Sequence, residues 1–274
     1  MVRAIVAGAA GRMGRAVIAA AHAQEGLARQ GLVVSAALEH AASAALGADS
    51  GELAGIGRNG IAVGANLDAA LATGDVLIDF TDAATTLAHL EACARARVAA
   101  LICTTGLAAD VYRRADELAR EIPVLIAANT SLGVTLLAEL VRQAARVLPT
   151  EFDIEVIEAH HRHKKDAPSG TALALGRAAA DGRGQALEQT ARWARHGVSP
   201  RAEGEIGFAV VRGGDIVGDH SVLFAGPAER LVLSHQATDR AIFARGAVAA
   251  AAWLASQAPG RYEMRDFILN KTMA

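Results

Sequence analysis

Short apolar runs alternate with stretches of helical periodicity through the first 130 residues of the chain. The runs are apolar at successive positions rather than at every second position, which is typical of strands in a parallel sheet with helices on both faces. Because crossovers between parallel strands are right-handed, the pattern predicts an α/β fold with a Rossmann-type doubly wound parallel sheet. The predicted strands are 3–7, 32–38, 76–80, 98–103 and 124–127.

The pattern changes in the second half of the chain. Charged and apolar residues alternate over 153–158 and again over 231–236, which indicates half-exposed strands. Residues 206–212 and 216–224 also have the character of strands, and Gly213-Gly214-Asp215 between them is a turn suited to a β-hairpin. We therefore expect a second domain of the α+β class with a mixed or antiparallel sheet.

These two patterns divide the chain into two predicted domains. A dinucleotide-binding domain takes residues 1–130, and residues 241–274 return to it because the predicted helix over 241–255 has the same alanine-rich composition. The second domain takes residues 131–240 and begins with a predicted helix over 132–147.

The overall charge excludes no small ligand but gives no reason to expect a polyanionic partner. Lys and Arg total 27 against 29 Asp and Glu, a formal charge of −2, so neither nucleic acid nor a membrane is expected as a partner. The two cysteines form no disulfide framework, which favours a reducing cytoplasm. The apolar run 246–255 is too short to span a bilayer.

Three glycines follow the first predicted strand and precede the first predicted helix. Gly8, Gly11 and Gly14 have the spacing G-x-x-G-x-x-G rather than G-x-G-x-x-G. In this position glycines allow a sharp turn and a close approach of a pyrophosphate to the N–H groups that begin the helix. The alternative is a tight strand–helix turn that binds no ligand.

A carboxylate closes the second predicted strand, where a dinucleotide would place its adenosine ribose. Glu39 can accept hydrogen bonds from the ribose hydroxyls and would repel a 2′-phosphate, while its neighbour is His40 rather than an arginine. The cofactor is therefore expected to be NADH, NADPH or both, with a preference for NADH. The alternative for Glu39 is an ordinary solvated carboxylate at the end of a strand.

Two later strands also end in polar residues, at the edge of an open α/β sheet where ligands bind. Cys103-Thr104-Thr105-Gly106 follows one strand and Ala127-Ala128-Asn129-Thr130 follows another. Their hydroxyl and amide groups could contact the nicotinamide and its ribose, or could simply cap helices. Cys103 is more consistent with a small buried side chain than with a redox residue.

A cluster of cationic residues runs from His160 to Lys165 and is followed by Pro168-Ser169-Gly170-Thr171, a helix-start pattern. Cations beside free N–H groups at a helix N-terminus suit a small dicarboxylate. Histidine and lysine can also donate a proton while a hydride arrives from elsewhere.

Three alternatives compete with this interpretation. A zinc site lacks an H-x-x-x-H pattern or a cysteine partner, and no metal is expected. A nucleic-acid patch lacks interleaved aromatic side chains. A solvated basic loop does not account for the helix start that follows it.

At this point the sequence resembles one family, the dihydrodipicolinate reductases, which are also called 4-hydroxy-tetrahydrodipicolinate reductases. The resemblance rests on Glu155 to His160, on Lys164-x-Asp166-x-Pro168-Ser169-Gly170-Thr171-Ala172, and on the start of the chain. It continues through 206–208, Arg212 and 215–218 to His220, so it covers essentially the whole chain.

The resemblance implies NAD(P)H-dependent reduction of a cyclic imine dicarboxylate to tetrahydrodipicolinate, on the route to diaminopimelate and lysine. It also implies a homotetramer built through the sheet of the second, substrate-binding domain. By position, His160 and Lys164 would be the acid–base and proton-donor residues, and His161, Gly170 and Thr171 would hold the substrate carboxylates. The dinucleotide would be lined by Gly8, Ala9, Ala10, Gly11, Arg12, Met13, Glu39, Cys103, Thr104, Thr105, Ala127, Ala128, Asn129 and Thr130.

Three positions depart from the family pattern. Glycine is common where Cys103 stands, arginine where His40 stands, and phenylalanine where Thr130 stands, and each departure bears on cofactor binding rather than on His160 and Lys164. Two other functions stay open. One is a different nicotinamide-dependent reductase or dehydrogenase acting on a small amino or keto acid. The other is a dinucleotide-sensing regulator, for which we find neither a recognition helix nor a basic face.

Overall fold

The computed structural model describes residues 1–24 and 31–271. The gaps, 25–30 and 272–274, both fall in the predicted first domain and lie outside the described residues. In chain order the helices and strands are β1 (Val2–Ala7), α1 (Arg12–Gln24), β2 (Leu32–Leu38), α2 (Ser50–Ala54), β3 (Val63–Gly64), α3 (Leu67–Leu71), β4 (Val76–Asp79), α4 (Ala83–Ala96), β5 (Ala99–Ile102), α5 (Ala109–Leu118), β6 (Pro123–Ile126), α6 (Leu132–Val147), β7 (Asp153–His160), α7 (Gly170–Gly182), α8 (Leu187–Thr190), β8 (Ala191–Arg192), β9 (Ile206–Arg212), β10 (Gly218–Gly226), β11 (Glu229–Ala237), α9 (Ala241–Leu254), β12 (Gly260–Tyr262) and α10 (Met264–Lys271). They form two compact units, Met1–Ser131 with Ala241–Ala274 (unit 1) and Leu132–Arg240 (unit 2).

Unit 1 contains a seven-stranded sheet in the order β12-β6-β5-β4-β1-β2-β3, and every pairing in it is parallel. The predicted Rossmann-type sheet is confirmed, and two edge strands extend it. Those strands, β3 and β12, are two and three residues long, which is too short to produce a recognisable hydrophobic pattern.

Helices cover both faces of this sheet, as the continuous apolar strands predict. Along β1, Ala4 and Val6 pack into a core that contains α1 and α9, while Ile5 packs on the opposite face among residues of α4 and α5. The alanine-rich helix α9 packs closely against the backbone of the segment that follows β6. A Cβ on Gly246 would stand 1.8 Å from the carbonyl oxygen of Thr130, so only glycine permits this approach.

Unit 2 contains a five-stranded mixed sheet in the order β11-β10-β7-β9-β8. The central strand β7 pairs parallel with β9 and antiparallel with β10, and β10 and β11 form the antiparallel edge. One face of the sheet packs on α6 and α7. The predicted mixed sheet is thus confirmed.

The hairpin predicted between 206–212 and 216–224 is wrong. The two strands exist as β9 and β10, but β7 lies between them and pairs with both, and β10 instead forms its hairpin with β11. The turn at 213–215 crosses the end of β7, where the Gly213 N–H donates to the His160 carbonyl at 2.9 Å. A strand inserted from elsewhere in the chain leaves no trace in the local sequence of a turn, so turn composition alone misled the prediction.

No helix among the described residues is long and apolar enough to cross a membrane.

Candidate active site

The residues predicted to bind the dinucleotide lie at one edge of the unit 1 sheet. Register fixes this arrangement, because Ala7 pairs with both Leu38 and Asp79, and Ile102 pairs with Ile126. The strand ends are therefore level, and the segments that follow them leave the same edge. These segments begin at Gly8, Glu39, Phe80, Cys103 and Ala127.

The turn between β1 and α1, from Gly8 to Gly14, is here called the glycine turn. It leaves no room for a side chain at Gly8 or at Gly14. Gly8 has φ +75°, and a Cβ there would lie 2.9 Å from the Phe80 carbonyl oxygen, while a Cβ on Gly14 would lie 2.1 Å from the Gly8 carbonyl oxygen. Among the described residues, the N–H groups of Met13 and Gly14 have no hydrogen-bond partner. A tight turn that presents unpaired N–H groups at the start of α1 fits a pyrophosphate.

Glu39 is fixed against this turn. Its Oε1 accepts a hydrogen bond from the Ala10 N–H at 2.9 Å, and the side chain is half-buried at the end of β2. Its neighbour His40 is exposed. The carboxylate is thus part of the loop that would surround a dinucleotide, although one of its oxygens already has a partner within the protein.

Several of the predicted side chains point into the fold rather than to solvent. Cys103 is buried, and burial raises the pKa of its thiol well above the ordinary value, so it stays protonated and unreactive. Thr104 is buried with its hydroxyl 3.4 Å from an oxygen of Asp79. Thr130 is buried as well and donates to the Phe243 carbonyl at 2.6 Å. Thr105 and Ala128 are exposed at the same edge.

Asp79 is a residue of this edge that the sequence prediction missed. It is fully buried, and it accepts from the Thr81 N–H at 2.8 Å and the Thr81 hydroxyl at 2.5 Å, while its second oxygen lies 2.8 Å from His89 Nδ1. The carboxylate therefore joins the end of β4 to α4. A charged residue that ends an otherwise apolar strand was the available signal.

The second group of site residues lies on the covered face of the unit 2 sheet. Along β7 the inward positions are Ile154, Val156, Glu158 and His160, so the face changes from apolar to polar within one strand. The neighbouring strands change at the same level, since Glu158 pairs with His220 on β10 and His160 pairs with Arg212 on β9. Register thus gathers four polar side chains at one end of the sheet.

Glu158 is the centre of this cluster and is 1% exposed. Its Oε2 lies 2.5 Å from His160 Nδ1 and 2.8 Å from one Arg212 nitrogen, and its Oε1 accepts from the second Arg212 nitrogen at 2.9 Å and from the Ser169 N–H at 3.0 Å. Burial alone would raise the pKa of Glu158, but the hydrogen bonds from Arg212, His160 and Ser169 outweigh it and hold the pKa below the ordinary value. The carboxylate is therefore an anion at neutral pH.

Two further residues complete the buried cluster. Ser169 is the N-cap of α7: its hydroxyl accepts from the Ala172 N–H at 3.1 Å and lies 3.0 Å from His220 Nε2. The His220 ring stands edge-on to the His160 ring, with centroids 5.0 Å apart. Burial lowers the pKa of His220 to about 4, with a further decrease from His160, so this ring is neutral at pH 7.

The cationic loop joins this cluster to the start of α7. The ammonium of Lys164 is 2.9 Å from Asp166 Oδ1, and its N–H donates to the His161 carbonyl at 3.1 Å, so a turn holds it. His161 is half-buried, 3.5 Å from a nitrogen of Arg240, and burial followed by the charge of Arg240 lowers its pKa. Gly170 begins α7, and its N–H has no partner among the described residues.

The structure places the predicted site residues of unit 2 on one continuous segment of the chain. His160, His161, Lys164, Gly170 and Thr171 all belong to the end of β7, the loop that follows it or the start of α7. The prediction missed three members of the buried cluster, Glu158, Arg212 and His220. For Glu158 and His220 the signal was a polar residue at an inward position of an alternating strand. For Arg212 there was no such signal, because burial does not alternate along β9.

Comparisons with known proteins agree over nearly the whole chain. A family model described as "Dihydrodipicolinate reductase, N-terminus" matches residues 2–130, and one described as "Dihydrodipicolinate reductase, C-terminus" matches residues 133–268. A 4-hydroxy-tetrahydrodipicolinate reductase of Anaeromyxobacter dehalogenans is 47% identical over 98% of both chains. One of Alkalilimnicola ehrlichii is 50% identical over 97% of this chain and 98% of the relative.

Solved structures have the same fold. A dipicolinate-bound dihydrodipicolinate reductase from Paenisporosarcina sp. TG-14 aligns with a TM-score of 0.76 at 24% identity, covering 96% of this chain and 97% of the other. A myo-inositol dehydrogenase from Corynebacterium glutamicum aligns with a TM-score of 0.58 at 13% identity, covering 98% and 93%. At these identities the likeness concerns the fold alone.

Proposed function

The chain belongs to the dihydrodipicolinate reductase family, and we propose that it reduces 4-hydroxy-tetrahydrodipicolinate to tetrahydrodipicolinate with NADH or NADPH. The substrate loses water to give a conjugated cyclic imine, which then takes up one hydride and one proton. The observation that carries the proposal is the cluster in unit 2, in which an ordered histidine and a lysine stand beside a helix N-terminus.

We propose that unit 1 binds the dinucleotide. The glycine turn, with its unpaired N–H groups at Met13 and Gly14, supports pyrophosphate binding, and Glu39 supports contact with the adenosine ribose. When bound, the reduced nicotinamide supplies the hydride. The residues that would line it are those predicted at the strand ends, with contacts through Thr105, Ala128 and the backbone because Cys103, Thr104 and Thr130 have buried side chains.

Unit 2 would bind the dicarboxylate through the start of α7 and the cationic loop. One carboxylate would accept hydrogen bonds from the Gly170 N–H and the Thr171 side chain, and His161 would hold the other. The helix dipole and the loop cations favour a doubly charged anion here. These assignments use the positions that the family resemblance implied.

The proton would come from Lys164 with the assistance of His160. Hydride addition to the electron-poor ring places negative charge on the conjugated nitrogen, and a nearby ammonium stabilises that charge and can release a proton. Lys164 is held in place by Asp166, and His160 by Glu158. A positioned acid of this kind contributes roughly 10²- to 10⁴-fold to the rate.

The cofactor preference and the assembly are also proposals. We expect NADH to be preferred, because the carboxylate of Glu39 would repel a 2′-phosphate and His40 replaces the arginine that could attract one. The family resemblance implies a homotetramer, and the apolar side chains Ile157, Val211 and Val232, exposed on the outward face of the unit 2 sheet, support an interface there. Sedimentation velocity would test the assembly. We expect the wild type to sediment as a tetramer and a Val232→Asp variant to dissociate into smaller species.

The activity is tested by following NADH oxidation with substrate freshly generated by condensing pyruvate with aspartate semialdehyde. We expect turnover that pyridine-2,6-dicarboxylate inhibits competitively with respect to the dicarboxylate substrate. NADH binding without turnover would contradict the proposed reaction and favour a different reductase or a dinucleotide sensor. Turnover of small keto acids at a comparable rate would contradict the proposed substrate class.

A further inference from the structure

The hydrogen bonds of Glu158 account for both of its oxygens completely. Each oxygen accepts two hydrogen bonds: Oε2 from His160 and Arg212, and Oε1 from Arg212 and the Ser169 N–H. A carboxylate has about four acceptor positions, so none is left over. The group is also 1% exposed, so water does not compete for it. It has one available orientation.

This arrangement determines the tautomer of His160. An ionised carboxylate can only accept hydrogen bonds, so the proton of the shared 2.5 Å contact belongs to Nδ1 of the ring. Nε2 is then the nitrogen that gains or loses a proton, and it has no hydrogen-bond partner among the described residues. Gly218 leaves room for it, since a Cβ there would lie 3.0 Å from Nε2.

Arg212 supports the carboxylate from the neighbouring strand. Its two terminal nitrogens reach the two oxygens of Glu158 at 2.8 and 2.9 Å, and one of them also donates to the Asp166 carbonyl at 2.6 Å. A paired fork of this kind fixes direction as well as charge, which lysine cannot do. Arg212 therefore also anchors the loop that carries Lys164.

The other titratable groups around the ring do not compete with this role. His220 on β10 meets His160 edge-on and is neutral at pH 7, so it adds no positive charge. His161 follows His160 in the chain, and its positive form is disfavoured. Glu158 is thus the anion that faces His160, and Arg212 is bonded to the carboxylate rather than to the ring.

We infer that Glu158 and Arg212 are positioning residues for the proposed reduction: Glu158 holds the Nδ1 proton of His160 so that Nε2 alone exchanges a proton, and Arg212 fixes that carboxylate. The inference rests on the proposed function, because it assigns His160 a role in acid–base chemistry. Neither residue needs to touch the substrate. The same carboxylate bonds to the Ser169 N–H, so it also ties the histidine to the start of α7.

The test replaces the charge without changing the shape. Glu158→Gln keeps the size of the side chain but presents an NH₂ group to His160 or Arg212, both of which are donors. We expect kcat to fall about 100-fold or more, within the range of a lost acid–base residue, while NADH affinity stays within about twofold. We also expect the alkaline limb of the kcat/KM profile to move to lower pH, because the protonated ring loses its neighbouring anion.

The matched control is Glu155→Gln on the same strand. Glu155 also forms ion pairs, with Arg195 and Arg201, but it faces away from His160. We expect this variant to keep the wild-type pH profile. A Glu158→Gln enzyme whose kcat and pH profile match those of Glu155→Gln would overturn the inference. Glu158→Asp, which restores the charge, should return the alkaline limb toward its wild-type position.

The tautomer is measured directly, without substrate, from side-chain ¹⁵N signals of histidine at alkaline pH, assigned with a His160→Gln sample. We expect a proton on Nδ1 in the wild type, because the ionised carboxylate of Glu158 can only accept a hydrogen bond. A wild-type ring protonated on Nε2 would overturn the inference even if the reductase is active. A wild type that keeps the Nδ1 proton but lacks reductase activity would refute the proposed function, and with it the role of this positioning in the reduction, while the hold of Glu158 on His160 would stand.

Arg212→Lys changes the other member of the Glu158–Arg212 pair. It tests the inference even if Glu158→Gln does not fold. It keeps the positive charge but not the fork, so the carboxylate keeps its ionisation and loses its fixed direction. We expect about a tenfold decrease in kcat with the Nδ1 proton retained. A wild-type kcat would overturn the role of Arg212.

Discussion

The two units would recognise their ligands by different physical means. The unit 1 edge would work mainly with backbone groups: the turn from Gly8 to Gly14 leaves no room for added side chains at Gly8 and Gly14, and the N–H groups of Met13 and Gly14 have no partner among the described residues. The polar end of the unit 2 sheet works with side chains, which hold one another through a buried carboxylate with four hydrogen bonds. The first arrangement depends on a few neighbouring residues, and the second depends on register between three strands and a helix.

This contrast predicts that substitutions in one unit change chemistry and in the other change cofactor binding. The largest effect is expected for Lys164→Ala, which removes the ammonium held by Asp166. We expect kcat to fall by about 10²- to 10⁴-fold with NADH affinity nearly unchanged, measured by steady-state kinetics and by NADH fluorescence titration. Lys165→Ala removes the same charge from an exposed neighbour and should mainly raise KM. Loss of NADH affinity in Lys164→Ala would break the contrast.

The matching substitution in unit 1 is Gly14→Ala. The added Cβ would lie 2.1 Å from the Gly8 carbonyl oxygen, so the turn must open. We expect at least a tenfold loss of NADH affinity and a loss of about 1–3 kcal/mol of stability, measured by titration and thermal unfolding. Gly11→Ala, with a distance of 3.1 Å to the same atom, should be milder. Equal effects of the two variants would show that clearance at Gly14 is not the cause.

The buried cluster of unit 2 also predicts a pH dependence of stability. Since the pKa of His220 is lowered from 6.5 to about 4, the unfolded chain binds a proton between these values that the folded chain does not. Stability should therefore decrease as the pH falls from 6.5 to 4, by up to about 3 kcal/mol. His220→Gln should flatten this part of the profile in thermal unfolding. An unchanged slope would contradict a buried neutral His220.

The smallest expected effect concerns Glu39. Glu39→Gln removes the charge that would repel a 2′-phosphate but keeps an acceptor for the Ala10 N–H. We expect the ratio of kcat/KM for NADPH over NADH to rise roughly tenfold, the size of one weak charge interaction. The proton transfer assigned to unit 2 should be unaffected, so we expect kcat at saturating NADH to stay at the wild-type value. A ratio that does not change would place the preference elsewhere.

The same contrast explains what could be predicted from the sequence. The turn at Gly8, Gly11 and Gly14 lies within seven residues, and the sequence was sufficient to predict its position between a buried strand and a helix. The parallel sheet was predictable because each strand is apolar at successive positions. The buried cluster was not: Glu158 and Arg212 are 54 residues apart and meet only because β7 lies beside β9.

The hairpin prediction was wrong for the same reason, because the pairing of strands depends on residues that are distant in the sequence. The turn after β9 has the composition of a hairpin turn, yet β7 occupies the place beside β9 that the hairpin would need. The direction of the side chains at the unit 1 edge also could not be predicted from the local sequence, because the burial of Cys103 and Thr130 depends on α9 and on neighbouring strands. Local sequence specifies which residues end a strand, but packing decides which of them face the ligand.

The most direct test of the division between the units is hydrogen–deuterium exchange with NADH, and then with NADH and pyridine-2,6-dicarboxylate together. The account predicts that NADH protects the segments after β1, β2 and β5, and that the dicarboxylate adds protection from His160 to Ala172. Additional protection confined to the glycine turn, with 160–172 unchanged, would contradict it.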